Sequence, residues 1–179
     1  MDKLFIGIKP GDIGFTKGGG IVGWIIRHGT GSPYAHCFIY HKYLGDGKWQ
    51  TVEAFPSINK NKDGVRYRIR TEEPIKIVRM WRTKNEQRKI LDHSVSMVGV
   101  KYGWGEIIRI ALRFLGIKIK GWESDKRAIC SNHCTQSLLS ARPQLELIMK
   151  YKPSQVWPGE LANTADYILW LEDRIGDKK

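Results

Sequence analysis

The sequence predicts an α+β fold in which an antiparallel β-sheet packs against helices. Three observations point there. Short aromatic and β-branched runs occupy residues 12–81, with hairpin-type turn signals between them. Past residue 83 the apolar residues change from alternation to helical spacing. Strands therefore come first and helices after, the order of segregated α+β domains and not of alternating βαβ units. With 179 residues, 41% hydrophobic and 27% charged, the chain is expected to form one domain over 1–179 with its own buried core.

Taken in order, residues 4–8 (LFIGI) and 12–15 (DIGF) read as short strands around the turn Lys9-Pro10-Gly11. Gly18-Gly19-Gly20 opens IVGWIIRHG, a short helix or buried strand ending at Gly29. No G-K-[ST] follows these glycines and no GxGxxG is present, so they predict a loop and not a phosphate cradle. Residues 35–41 (AHCFIYH) and 49–55 (WQTVEAF) form a β-hairpin around Gly45-Asp46-Gly47. In 64–70 (GVRYRIR), Val65, Tyr67 and Ile69 alternate with Arg66, Arg68 and Arg70. That alternation predicts a strand with the hydrophobic trio packed and the arginines in water. A further strand, 75–81, follows Pro74.

Helices are expected over 84–98, with Ile90, Leu91, Val95 and Val98 at helical spacing, and over 104–117, apolar nearly all round. A third begins near Cys130 and stops about Ala141, before Pro143. The fourth, 158–172, carries Pro158 in its first turn and ends ahead of Gly176.

Thirty Lys+Arg against eighteen Asp+Glu give a formal charge of +12, which favours an anionic neighbour. The basic residues are scattered without a long like-charge run, and aromatics do not alternate with them as a base-stacking surface requires, so nucleic acid is not the expected partner. Three cysteines do not make an even disulfide set, so at least one thiol is expected free. MDKLFIGIKPGDIGF has no signal-peptide pattern, and no apolar run reaches the ~20 residues of a spanning helix. Synthesis in a reducing cytoplasm is the expectation.

The stretch AICSNHCTQSLL (128–139) concentrates the chemistry, with Cys130, His133 and Cys134 in five residues. Cys130 falls at the start of a predicted helix. There the positive end of the dipole stabilises a thiolate, and the N–H groups of Cys130 and Ser131 have no helical partner and are free to hold an oxyanion. Cys134, a turn further in, reads as a packed core residue. The base is expected from another element, as in other assembled triads. His93 sits among polar helix residues, His28 and His41 lie at element ends, and His133 is too close in sequence to Cys130 to be oriented independently. His36 opens a strand after the turn-rich GTGSPYA, and Glu53 on the partner strand is placed to hold the imidazole by its other nitrogen. An edge-strand pairing of Glu53 with Arg66 or Arg68 competes with that role.

GDIGF at 11–15, SPYAHCFIY at 32–40, TVEAF at 51–55 and the GV at 64–65, followed by VGVKYGW at 98–104, AICSNHC at 128–134 and KPSQVWPGELANT at 152–164, together resemble the circularly permuted NlpC/P60 cysteine peptidases, in particular their YiiX-like branch. The resemblance implies a permuted, barrel-like papain-type sheet with the nucleophile on a late helix. It implies Cys130 as nucleophile, His36 as base and Glu53 as third polar residue. Asp12, Tyr34, Tyr102 and Trp104, within the matching motifs, become candidates for the substrate cleft. Two departures stand out: Tyr34-Ala35 precede His36 where the family often has serine directly before it, and Asn132 replaces a common acidic residue.

Four readings follow. The first is a thiol hydrolase cleaving an amide bond through an acyl-enzyme, without cofactor or metal. Its expected substrate is a peptidoglycan peptide, with an anionic wall polymer or a membrane surface as neighbour and a phage particle or lysis system as its route to the wall. The second is a thiol acyltransferase or lipid esterase using the same residues, to which the basic-apolar segment 104–122 with Arg109, Arg113, Lys118 and Lys120 would contribute. The third is a zinc-stabilised module using Cys37, Cys130, His133 and Cys134. The fourth is a non-catalytic structural or nucleic-acid-binding relative.

Overall fold

A computed structural model describes residues 7–57, 63–105, 107–108, 112, 116–117, 128–149, 152–153 and 156–176. Its centre is a five-stranded antiparallel sheet in the order β4-β3-β2-β1-β5. The strands are β1 (Ile13–Thr16), β2 (His36–Gly45), β3 (Lys48–Phe55), β4 (Gly64–Arg70) and β5 (Lys76–Val78). The helices are α1 (Gly20–Thr30), α2 (Lys84–Ser96), α3 (Cys130–Ala141) and α4 (Pro158–Gly176), with a 3-10 segment at Pro143–Ile148. The sheet is open, with β4 and β5 as its edges, and does not close into the expected barrel-like form.

The hairpin β2–β3 turns through Asp46 (φ 49°) and Gly47 (φ 68°), both left-handed. Such a two-residue turn matches the strands' right-handed twist and lets β2 and β3 run longer than the expected 35–41 and 49–55. His41, expected at an element end, is therefore inside β2. β1 lies between β2 and β5, pairing Thr16 with His36 and Ile13 with Val78. Only Lys76–Val78 of the expected strand 75–81 pairs; Met80 and Trp81 continue into the core without a partner strand. Of the strand expected at 4–8, Gly7 and Ile8 are not strand, and the rest lies outside the described residues.

One face of the sheet, carrying Ile13, Phe15, Cys37, Ile39 and Val78, meets Ile90 of α2, Cys134 and Leu138 of α3 and Leu161, Ala165 and Ile168 of α4. The opposite face carries a smaller cluster of Phe38, Tyr40 and Trp49 with Ile8. α2 is started by a capping box: the Glu86 N–H donates to Thr83 Oγ1, and the Glu86 carboxylate takes the Thr83 N–H. It ends at Ser96, which leaves Val98 exposed instead of on the packed face. The glycine-opened segment is helix α1, reaching Thr30, and α4 runs through to Gly176. Of the helix expected at 104–117, Trp104, Gly105, Ile107, Ile108 and Leu112 are helical and Gly116 and Ile117 are not, while Arg109 and Arg113, like Lys118 and Lys120 beyond it, lie outside the described residues. No helix among the described residues is long and apolar enough to cross a membrane.

β4 keeps the expected faces only at Val65, which is buried; beyond it they are reversed. Tyr67 and Ile69 are 40% and 64% exposed, whereas Arg66, Arg68 and Arg70 turn toward the protein. Arg66 and Arg68 lie over the Phe55 ring and Arg70 over Phe38, with guanidinium carbons 5.3, 4.3 and 4.0 Å from the ring centroids. The reason is Glu53, fully buried on β3. Burying an unpaired carboxylate costs several kcal/mol, far more than leaving two amphipathic-to-apolar side chains on an edge strand, so the register that brings cations to Glu53 prevails.

Candidate active site

β2 and β3 place His36 and Glu53 on one surface of the sheet. The Ala35 N–H donates to the Thr16 carbonyl at 3.0 Å, which fixes the start of β2 against β1. His36 Nε2 meets Glu53 Oε2 at 2.6 Å. Glu53 receives three further donations: from Thr51 Oγ1 to Oε1 (2.8 Å), from Arg70 Nε to Oε1 (3.0 Å) and from Arg70 Nη2 to Oε2 (2.8 Å). Arg68 Nη1 stands 3.7 Å from Oε2. The Phe55 ring meets the imidazole edge-on, 5.8 Å between centroids.

Cys130 enters from the other side. Residues 101–103 pair with Ala128: its N–H donates to the Lys101 carbonyl and its carbonyl accepts from Gly103, each at 3.0 Å. Helix α3 then opens at Cys130 from Ile129, which is extended and gives no side-chain cap. The Ser131 hydroxyl donates to the Val156 carbonyl. The first turn closes with His133 N–H on the Ile129 carbonyl, which leaves the N–H groups of Cys130, Ser131 and Asn132 without a helical acceptor. At this point the Cys130 thiol lies close enough to His36 and Cys37 for both to shift its protonation. Since His36 Nε2 is taken by Glu53, Nδ1 is the nitrogen left for the sulfur.

The electrostatics follow from these contacts. Cys130 is held well below its ordinary value, first by the hydrogen bond from the Cys37 thiol, against the opposing effect of burial, then by the hydrogen bond and charge of His36. Burial pulls His36 down, but the hydrogen bonds and charges of Cys130 and Glu53 outweigh it and raise the imidazole to about 9. Burial pushes Glu53 up, yet His36 and Arg70 hold it far below the usual carboxylate range. Cys37 and Cys134 are both raised, chiefly by burial. These shifts favour a thiolate on Cys130 and a proton on His36, beside a fixed carboxylate, and keep the protons on Cys37 and Cys134.

A cleft of about 540 Å³ opens over His36. Val22, Ile26, Ala35 and Ile75 supply apolar wall, while Lys17, Arg68, Arg70, Glu72 and Glu73 supply charges of both signs. Tyr102 lines it too; burial, then the charges of Cys130, Cys37 and Asp63, push its phenol up. Cys130 is buried and is not among the lining residues.

The other candidates are placed elsewhere. Asp12 holds the turn before β1, taking the Lys9 N–H at 2.8 Å and the Arg79 fork at 2.8 Å on each oxygen. Tyr34 packs on Phe15 and lines a separate hollow of about 510 Å³ with Trp157. Trp104 stacks edge-on against Tyr102, and its indole N–H donates to Asp63. His133 is buried and shares a hydrogen bond with Ser94 Oγ at 3.0 Å, burial lowering it to about 4. His93, on the polar helix α2, is half-buried with Nδ1 at 3.3 Å from Ser137 Oγ. No group of three or more His, Cys, Asp or Glu among the described residues has the geometry to hold a metal ion, so Cys37, Cys130, His133 and Cys134 do not form the zinc set considered above.

Sequence reasoning missed Thr51, Arg70 and Cys37. Thr51 was within reach, since residues two apart on a strand share a face and Glu53 needed a donor. Alternation along β2 points Cys37 to the face opposite His36, yet both act on Cys130. A scan against protein-family models and a search of curated proteins each find no match.

Proposed function

We propose that the protein is a thiol hydrolase that cleaves an amide bond through Cys130, His36 and Glu53, with peptidoglycan peptides as substrate. One observation carries the reading: a single buried constellation joins a lowered thiol at a helix start to a raised imidazole and an anchored carboxylate. Structural ion pairs also shift pKa values, but they rarely join a thiol at a helix N-terminus to an imidazole beside a cleft. A permuted papain-like arrangement goes with this reading, the base and acid preceding the nucleophile in the chain. In the reaction the Cys130 sulfur attacks the carbonyl carbon, and the N–H groups of Cys130 and Ser131 receive the oxyanion. The C–N bond breaks as His36 passes its proton to the leaving nitrogen. Water then adds to the thioester, His36 accepting its proton, and the carboxylic acid leaves as Cys130 is restored. The +12 charge suits approach to anionic wall polymers.

The cleft's apolar wall of Val22, Ile26 and Ile75 favours a second reading, an acyl ester or lipid substrate worked on by the same residues. Incubation with peptidoglycan fragments and, separately, with acyl esters and phospholipid vesicles discriminates the two by product mass. Amide cleavage lost in Cys130→Ser supports the first; ester turnover alone supports the second. No turnover with either, together with unchanged biological activity in Cys130→Ser, would leave a non-catalytic protein.

A further inference from the structure

Glu53 is gripped by more than its task of meeting one imidazole requires. Arg70 presents Nε and Nη2 to its two oxygens in a fork, and Thr51 adds a fourth hydrogen bond. A carboxylate held only by His36 would keep rotational freedom, and the fork removes it. Arg70 is itself fixed: its side chain is 11% exposed and its guanidinium carbon sits 4.0 Å from the Phe38 ring centroid. β4 turns its arginine face inward at the expense of exposing Tyr67 and Ile69.

We propose that Arg70 is a positioning residue of the site: its fork locks both oxygens of Glu53, so that the carboxylate meets His36 as a fixed anion. The role assigned to this pair in the thiol chemistry rests on the hydrolase reading above, but the lock itself does not. Every element packed around Glu53 contributes a group. β2 brings His36 and Tyr40, β4 brings Arg66, Arg68 and Arg70, and α3 brings Cys130, Cys134 and His133. Arg66 pairs with Glu53 across the ladder but spends its guanidinium on Phe55, and Arg68 is 3.7 Å away and a third exposed. Arg70 alone among the described cations makes the two-point contact.

Two variants separate charge from geometry. Arg70→Lys keeps a cation without the fork; Arg70→Met removes both and keeps most of the bulk. The first readout is the Glu53 carboxyl carbon resonance as pH is lowered. It is expected to be flat down to about pH 3 in wild type and Arg70→Lys, and to show an inflection between about pH 4 and 6 in Arg70→Met, where the buried carboxylate keeps only His36 and the more distant Arg68. The second readout is the pH profile of Cys130 alkylation by iodoacetamide. Its acid limb is expected to move up with that inflection in Arg70→Met. In Arg70→Lys the limb stays and the plateau falls roughly tenfold, since an imidazole misplaced by a fraction of an ångström loses its grip on the thiol. A purely structural ion pair would lower the unfolding midpoint and move neither limb nor inflection. A flat carboxyl resonance in Arg70→Met, or a Cys130 profile superposing on wild type, overturns the proposal. A wild-type Cys130 that alkylates no faster than Cys37 and Cys134 overturns the hydrolase reading instead, while the carboxyl resonance still decides on the lock.

Discussion

Replacing Glu53 by glutamine removes one charge and keeps the shape of the side chain. The buried amide then faces Arg70 and Arg68 with no negative charge to offset theirs. Breaking a buried pair this way typically costs about 3–5 kcal/mol; Arg68 is a third exposed and can be resolvated, so about 3 is expected here. The sign with pH follows from the two groups. The raised imidazole of His36 contributes stability fully present below 6.5 and lost as pH rises through about 9. That span is worth roughly 3 kcal/mol at ~1.4 per unit, shared between Cys130 and Glu53. The lowered carboxyl of Glu53 contributes stability present above its ordinary 4.5 and lost as pH falls toward its folded value. Urea midpoints of wild type and Glu53→Gln should therefore differ most between pH 5 and 7. The gap should narrow below pH 4.5 and again toward pH 9. In the folded variant, His36 followed by imidazole proton resonances should titrate well below 9, and the acid limb of Cys130 alkylation should move up. An unchanged His36 titration in Glu53→Gln would show that another group stabilises the imidazolium, and the Cys130–His36–Glu53 relay would have to be abandoned.

Two further perturbations probe the flanks of the site and the frame that carries it. Cys37→Ala removes the largest single influence lowering Cys130, and hydrogen bonds to charged groups contribute about 1.5–3 kcal/mol, so alkylation at pH 6 should slow by roughly tenfold or more while the fold persists; an unchanged rate would mean the Cys37 thiol does not donate to the sulfur. Gly64→Ala should destabilise by about 3 kcal/mol or more by urea titration, because Gly64 sits at φ +113° and an added Cβ would overlap the Val100 carbonyl; a midpoint within 0.5 kcal/mol of wild type would show that the loop at 99–101 moves aside at no cost.

Local chemistry made the hairpin and α3 readable. Gly45-Asp46-Gly47 between two aromatic runs admits few alternatives, and AICSNHCTQSLL begins a helix at Cys130 whatever packs on it. The meeting of residues 36, 53 and 130 was legible only as roles, since the distance between strand and helix is a tertiary quantity. β4 was misread beyond Val65 for the same reason. Alternation marks two faces but does not say which is inside, and the usual rule fails when the neighbouring strand buries a carboxylate. The open sheet follows from β5 pairing with β1 through Phe15 and Ile13, a long-range choice that the short run 75–81 does not encode.

The central claim is that Cys130 is a thiolate at neutral pH, held by Cys37 and His36 together. Iodoacetamide at pH 7, with each cysteine followed by peptide mass, tests it in wild type, Cys130→Ser and His36→Ala. One fast thiol is expected, lost in the first variant and slowed in the second, with Cys37 and Cys134 slow throughout. Equal slow labelling of all three thiols, or a Cys130 rate indifferent to His36, would contradict it.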